Sequence, residues 1–242
     1  MINIENKHRI SAHAREEFPK ECCGLLVSVQ GVEVYVRCKN ISATPENDFE
    51  IAPEEYALIE DTSEILAIVH SHCNQSAEAS DIDLKACEMS GLPWIIFALP
   101  TYSWNRIEPA KYCAPLIGRN FQVGVLDCYT LIQDWYAGNR GVQLPHFDRS
   151  DGWEDRGEDL YLKNFEKLGF KIVEDTKNLL EGDVILMNIG SLVVNHGGIF
   201  LKPDYMLHHA AKQLSCRVPY GGFWKKHTRV VVRLDKGNVC AE

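Results

Sequence analysis

The spacing of apolar and polar positions changes several times along the chain, and each change marks an element. Residues 10–17 read as a short helix. From residue 21 the pattern turns strand-like: CGLLVSV and VEVYVRC flank Gln30-Gly31, which predicts a β-hairpin over 21–36. Residues 40–47 are polar and turn-rich, and 53–60 read as a helix opened by Pro53. The apolar run at 65–69 leads as a strand into His70-Ser71-His72, a helix follows from about Ser80 to Ser90, and 93–99 form a buried strand ended by Pro100. Residues 112–120 hold Pro115 and Gly118 without periodicity and mark a junction. Beyond it, 123–136 begin as a turn and become helical, with Leu131, Ile132, Trp135 and Tyr136 on one stripe. A long polar loop spans 138–157, an amphipathic helix 159–168, and strands 171–174, 184–187, 193–201 and 205–210. The expected organisation is a domain over 1–112, a linker over 113–120 and a second domain over 121–242. The expected class is α+β, a mixed α/β domain followed by a helix plus antiparallel sheet.

Composition narrows what such a chain can do. It has 242 residues, 45% of them hydrophobic and 24% charged, within the range of ordinary globular proteins. Net charge is -9 without a basic tract, which argues against nucleic acid as a direct partner. No apolar run reaches membrane-spanning length, so no membrane span is expected. The charged N-terminal stretch lacks the apolar core of a secretory signal. The nine cysteines are an odd number, scattered through apolar segments and without a C-x-x-C pair. A reducing compartment is the expectation, and a cysteine-rich structural zinc site is not.

Two stretches carry chemistry. On a strand, alternate side chains share a face, so His70 and His72 point the same way. With Asp83 they make a three-ligand zinc set that leaves a fourth position for water, the mark of a catalytic metal site. A general base is then needed, and Glu21 is the upstream candidate. Taken alone, Ser80 and Asp83 are also accounted for as the cap and first turn of a helix. The full pattern of His-x-His, seven residues, Ser, two residues, Asp resembles the JAMM (MPN-type) zinc metalloproteases. That resemblance implies His70, His72 and Asp83 as zinc ligands, Glu21 as catalytic base, and Ser80 as hydrogen-bond donor to the oxyanion.

In the second half, Asp127 can cap the helix that opens with Cys128. A thiol in a first helical turn feels the positive end of the macrodipole, which favours a thiolate. The competing reading is a structural cysteine packed against the sheet. His196 lies on a later strand before a flexible Gly197-Gly198 pair, and His208 or His209, which face opposite sides, lies on the next. Cysteine, histidine and a further polar residue so placed make a hydrolase triad. Asp127-Cys128, Glu181-Gly182-Asp183, His196-Gly197-Gly198-Ile199-Phe200 and His208-His209-Ala210 resemble the NlpC-type cysteine peptidases of papain-like fold. The family's spacing between its two histidines implies His208 as the third member. Many bacterial relatives carry a tyrosine shortly upstream of the cysteine; here Tyr129 follows it instead.

A JAMM-like domain followed at once by an NlpC-like domain resembles the tail tip assembly proteins of lambda-type, long-tailed bacteriophages. The likeness implies a zinc-dependent (iso)peptidase joined to a cysteine endopeptidase that cleaves peptidoglycan stem peptides. It also implies phage tail tip proteins as partners and residence in the host cytoplasm during assembly, with the virion tail tip left open as a later location. Two rivals stand beside this reading. One is a docking protein with one or both peptidase sites inactive. The other is a deubiquitinase-like peptidase acting through the zinc domain alone.

Overall fold

The computed structural model describes residues 2–149, 153–154 and 156–235. The chain divides into two compact units, Met1–Tyr112 and Cys113–Glu242. The first is built on a five-stranded sheet. Its elements are α1 (Ile4–Glu17), β1 (Cys23–Val29), β2 (Val32–Cys38), α2 (Pro53–Glu60), β3 (Glu64–His72), α3 (Asp81–Ser90), β4 (Trp94–Ala98) and β5 (Ser103–Ile107), and the strand order is β2-β1-β3-β4-β5. The β1-β2 hairpin turns at Gln30 and Gly31, both with positive φ (52° and 81°), as a two-residue turn requires. A parallel pair needs a crossover, and α3 supplies it between β3 and β4. Both faces of the sheet are covered: Ile10 and Ala14 of α1 pack with Leu26, Val69, Ile95 and Phe97, while Leu25, Val27, Ile68 and Trp94 pack with Cys87 of α3.

The helix α1 is longer than the 10–17 expected. The Asn3 side chain accepts a 2.8 Å hydrogen bond from the Asn6 amide and starts the helix in a polar stretch that periodicity alone does not register. Strand β5 was likewise not legible as a strand in Ser-Trp-Asn-Arg-Ile.

The second unit holds α4 (Cys128–Arg140), α5 (Leu160–Lys167), β6 (Phe170–Ile172), β7 (Val184–Met187), β8 (His196–Leu201), β9 (Tyr205–His208), β10 (Cys216–Pro219), α6 (Gly222–His227) and β11 (Thr228–Leu234). The sheet is antiparallel throughout, in the order β10-β9-β8-β7-β11-β6. Strand β11 sits inside it between β7 and β6, although no strand was expected over 228–234. Helix α4 lies against the sheet through Leu131, Ile132 and Trp135, which share a core with Val184, Leu186, Ile199 and Leu207. Strand β8 begins at His196 and not at residue 193, so the histidine stands at the strand's end. The Gly197-Gly198 pair is not a flexible joint. A Cβ on Gly197 would meet Ile132 Cδ1 at 2.9 Å, and one on Gly198 would meet Met206 at 2.8 Å. These glycines let α4 and β9 approach the strand closely.

The segment expected as a linker, 113–120, is in part built into the second unit. The Gly118 amide donates to Ser215 O (2.8 Å) and the Arg119 amide to Ser215 Oγ (2.9 Å), while the Ser215 amide donates to Arg119 O. The Arg119 side chain is fully buried. It donates to Pro115 O (2.5 Å) and Ala114 O (2.7 Å) and pairs with Asp134 of α4 at 2.8 Å. Removing one partner of a buried pair strands the other charge. Arg119→Met is therefore expected to destabilise the protein by about 3–5 kcal/mol. Arg119→Met with Asp134→Leu should cost clearly less. Urea unfolding of the two variants checks this, and equal losses would refute it.

Candidate metal and cysteine sites

The metal-competent cluster forms where β3 meets the start of α3. His70 and His72 end β3 on one face, and Asp83 enters from the first turn of α3. The His70 and His72 Nε2 atoms lie 3.2 Å apart, His70 Nε2 is 3.2 Å from Asp83 Oδ1, and His72 Nε2 is 3.4 Å from Asp83 Oδ2. The three residues are buried and each turns one ligand atom toward the others. His72 Nδ1 donates to Ser76 O at 2.7 Å, which orients the ring and turns Nε2 into the cluster. The His70 ring is stacked on Phe49, centroids 4.7 Å apart, with Trp94 edge-on at 5.4 Å.

Ligand atoms about 3.3 Å apart match the edge of a tetrahedron whose centre lies about 2.0–2.1 Å from each, the zinc–nitrogen distance. The donor set of two imidazole nitrogens and a carboxylate thus fits such an ion. Electrostatics agree in direction. Burial alone would raise Asp83, but hydrogen bonds from His70 and His72 outweigh it and hold the carboxyl well below its usual range. Burial lowers His72, and Asp83 together with the Ser76 carbonyl more than offsets this.

Glu21 sits at the same end of the sheet. In the antiparallel register Cys23 stands opposite His70, so a continuation by two residues sets Glu21 level with His72. Its backbone is tied on both sides, the amide to Pro45 O and the carbonyl to Asn40 Nδ2. Burial pushes its carboxyl up to about 8, opposed by the His72 ring and reinforced by Asp83. Ser80 caps α3, its hydroxyl donates to Asp83 Oδ2 at 2.8 Å, and it accepts from the Asp83 amide at 3.1 Å. A serine has one proton to donate, and in this structure the metal-site carboxylate receives it.

The cysteine site is assembled at the N-terminus of α4. Asp127 caps the helix: Oδ1 accepts from the Tyr129 and Thr130 amides, both at 2.9 Å, and Oδ2 accepts from the Gly124 amide and from Arg149 at 2.7 Å. Cys128 follows, buried, with Sγ 3.1 Å from the Tyr161 hydroxyl and within reach of the Gly197 amide. That amide neighbours His196, whose Nε2 lies 3.1 Å from His208 Nδ1. His209 turns away from this group and packs edge-on against Phe121. The structure thus gathers Cys128, His196 and His208 at one end of α4 and the sheet.

The thiol's surroundings overturn the expected thiolate. Burial raises Cys128 to about 11, helped by the Asp127 charge, and the Tyr161 hydroxyl and Gly197 amide offset only part of this. Burial likewise lowers His196 to about 3 and His208 to about 4. Both directions favour an uncharged cysteine and an uncharged histidine at rest.

Two family models match the chain: prokaryotic homologs of the JAB domain over residues 5–107, and the NlpC/P60 family over residues 102–233. Tail tip assembly protein K of Escherichia phage N15 is 37% identical over 227 residues, covering 93% of this chain and 92% of its own length. The chain belongs to the tail tip assembly protein K family. The protein of that name from Escherichia phage lambda is 37% identical over 183 residues, 76% of this chain and 88% of its own. Among solved structures, a JAB1/MPN domain protein from Archaeoglobus fulgidus aligns with 43% of this chain at 21% identity and a TM-score of 0.29, too low to bear on the fold. For this K-family chain, the fold class rests on the two family models and on the two sheets described above.

Sequence reasoning missed three neighbours of the cysteine site in this K-family chain. Tyr161 stands beside the thiol. It comes from α5, where it reads as an ordinary residue of the apolar stripe beside Phe165. Arg149 lies in the polar loop, stacked 4.8 Å over Tyr129 and paired to Asp127. Cys216 of β10 lies 3.6 Å from His208 Nε2. The only signal for these was long-range proximity, which a single sequence does not carry.

Proposed function

We propose that the protein is a two-site peptidase of phage tail-tip assembly, its cysteine site hydrolysing peptide stems of peptidoglycan and its JAB-like unit acting as a zinc-dependent peptidase. The observation that supports the reading is the buried His196–His208 contact at 3.1 Å, with the Cys128 sulfur beside the Gly197 amide, next in sequence to His196. Because His196 Nε2 is turned to His208, Nδ1 is the nitrogen that serves the thiol. As Cys128 attacks the scissile carbonyl carbon, its proton passes to His196. The same proton then goes to the departing amine, and water releases the acyl group from sulfur. The Tyr161 hydroxyl supports the charge that builds on sulfur.

In the other unit His70, His72 and Asp83 would hold the metal. A bound zinc ion supplies Lewis-acid polarisation of a carbonyl and acidifies water. Glu21 is the group that takes and returns a proton: burial raises its carboxyl, and a zinc ion held beside it would favour the charged, proton-accepting form. Ser80 orients Asp83. Family membership supports stem peptides as substrate, tail tip proteins as partners, and a place in the host cytoplasm during assembly.

The test uses the intact chain. The protein is expected to carry about one zinc per chain by elemental analysis. His72→Ala and Asp83→Ala should lose most of it, whereas Glu21→Gln should keep it, because Glu21 is not a ligand. Zinc-free, folded wild-type protein prepared without chelator would sink the metal assignment. Failure of the intact chain to cleave purified muropeptides would favour a docking role for the cysteine unit. Zinc-dependent cleavage that survives Cys128→Ala would leave only the JAB-like site active.

A further inference from the structure

Strands β9 and β10 are paired so that Cys216 stands directly opposite His208. The Cys216 sulfur lies 3.6 Å from His208 Nε2, while Nδ1 of the same ring lies 3.1 Å from His196 Nε2. Trp224 of α6 packs on the His208 ring, centroids 4.3 Å apart at 61°, and restrains its rotation. His208 therefore has a partner at each nitrogen, and the observed row runs from His196 through His208 to Cys216.

We propose that Cys216 is a positioning residue of the cysteine site: its sulfur accepts the Nε2–H of His208 and thereby sets the tautomer of both histidines. The proposal rests on the reading of Cys128 and His196 as nucleophile and base.

A neutral imidazole carries one N–H. With the proton of His208 on Nε2, its Nδ1 accepts from His196 Nε2–H, and His196 Nδ1 is left as a lone pair that can take the Cys128 proton. In the opposite order Cys216 donates S–H to Nε2, and His208 donates from Nδ1 to His196 Nε2. His196 must then carry its own proton on Nδ1, and no base faces the thiol. Only the first order permits hydrolysis. Sulfur can accept as well as donate weakly, and it is the accepting contact, with Nε2–H directed at Sγ, that holds the row in the active order. A side chain that does neither frees His208 to take the wrong one.

The experiment compares intact wild-type protein with Cys216→Val and Cys216→Ser. Long-range nitrogen–proton NMR on histidine-labelled protein reads the tautomers directly and needs no turnover. His208 is expected to be protonated at Nε2 in wild type and in Cys216→Ser, and to populate the Nδ1–H form in Cys216→Val. On a purified stem peptide, Cys216→Val should lose about 10-fold or more in kcat with KM little changed, and Cys216→Ser should recover most of the loss. Wild-type His208 protonated at Nδ1 would overturn the proposal, as would unchanged tautomers and kcat in Cys216→Val. Should the valine variant not fold, the wild-type and serine spectra decide. Wild-type protein inert on every stem peptide, with His208 at Nε2–H, would remove the proposed peptidase activity and leave the Cys216 contact standing.

Discussion

Cys128→Ala is expected to abolish cleavage of peptidoglycan stem peptides, by about 10⁴-fold or more in kcat, while zinc content stays at the wild-type level. The nucleophile and its base act as one unit, so His196→Ala should cost about as much and the double variant little more. The geometry adds a second expectation. A thiol at a helix N-terminus is ordinarily favoured as a thiolate, but here burial wins and raises Cys128 to about 11 while lowering His196 to about 3. The resting pair is therefore neutral, and the proton moves to His196 only during attack. Iodoacetamide near pH 7 should label the exposed Cys113 before the buried Cys128 in the native chain. Labelling of Cys128 should accelerate as pH rises toward 11. Cys128 reacting first at pH 7 would contradict the neutral pair, and undiminished cleavage by Cys128→Ala would remove the triad.

Local rules carried most of the element assignments. His70 and His72 share a face because strands alternate, Ser80 and Asp127 stand where helices start, and Gln30-Gly31 turns the hairpin. These signals span a few residues and read directly from one chain. Glu21 beside His72 depends on strand register, which brings together residues as far apart as Cys22 and Ser71, 49 positions along the chain. Tyr161 beside Cys128 depends on how α5 docks, and Arg149 on where an irregular loop returns. The Gly197-Gly198 pair looked like a flexible joint because a sequence does not show what would collide with a Cβ. Ser80 illustrates the converse: its bland role as a cap is the one the hydrogen bonds display, and that role serves the metal site by fixing Asp83. The macrodipole argument for Cys128 failed for a related reason. It counts one local field and omits the desolvation that closing the site imposes.

Acid should destabilise the second unit well before the carboxylates of the fold titrate. His208 is lowered by burial from 6.5 to about 4, and His196 to about 3 by burial and by the neighbouring His208 and His209. An unfolded chain binds these protons near pH 6.5 and the native state does not, so stability rises with pH through this window. The contribution is complete above about pH 6.5 and is lost progressively as pH falls toward 4. At about 1.4 kcal/mol per pKa unit, His208 alone accounts for roughly 3 kcal/mol. That is a large share of the 5–15 kcal/mol typical of a domain. His209, also lowered by burial, acts in the same direction. In the first unit the groups oppose one another: His13 is lowered by burial, whereas His72 is raised despite it. Hydrogen exchange on the intact chain at pH 7, 5.5 and 4.5 resolves the two units. Amides of β8 and β9 should lose protection steeply below pH 6, and His208→Gln should flatten that slope, since glutamine keeps a polar side chain without titrating. Protection of β8 and β9 that stays level from pH 7 to 4.5 would mean that these histidines are not held neutral by the fold.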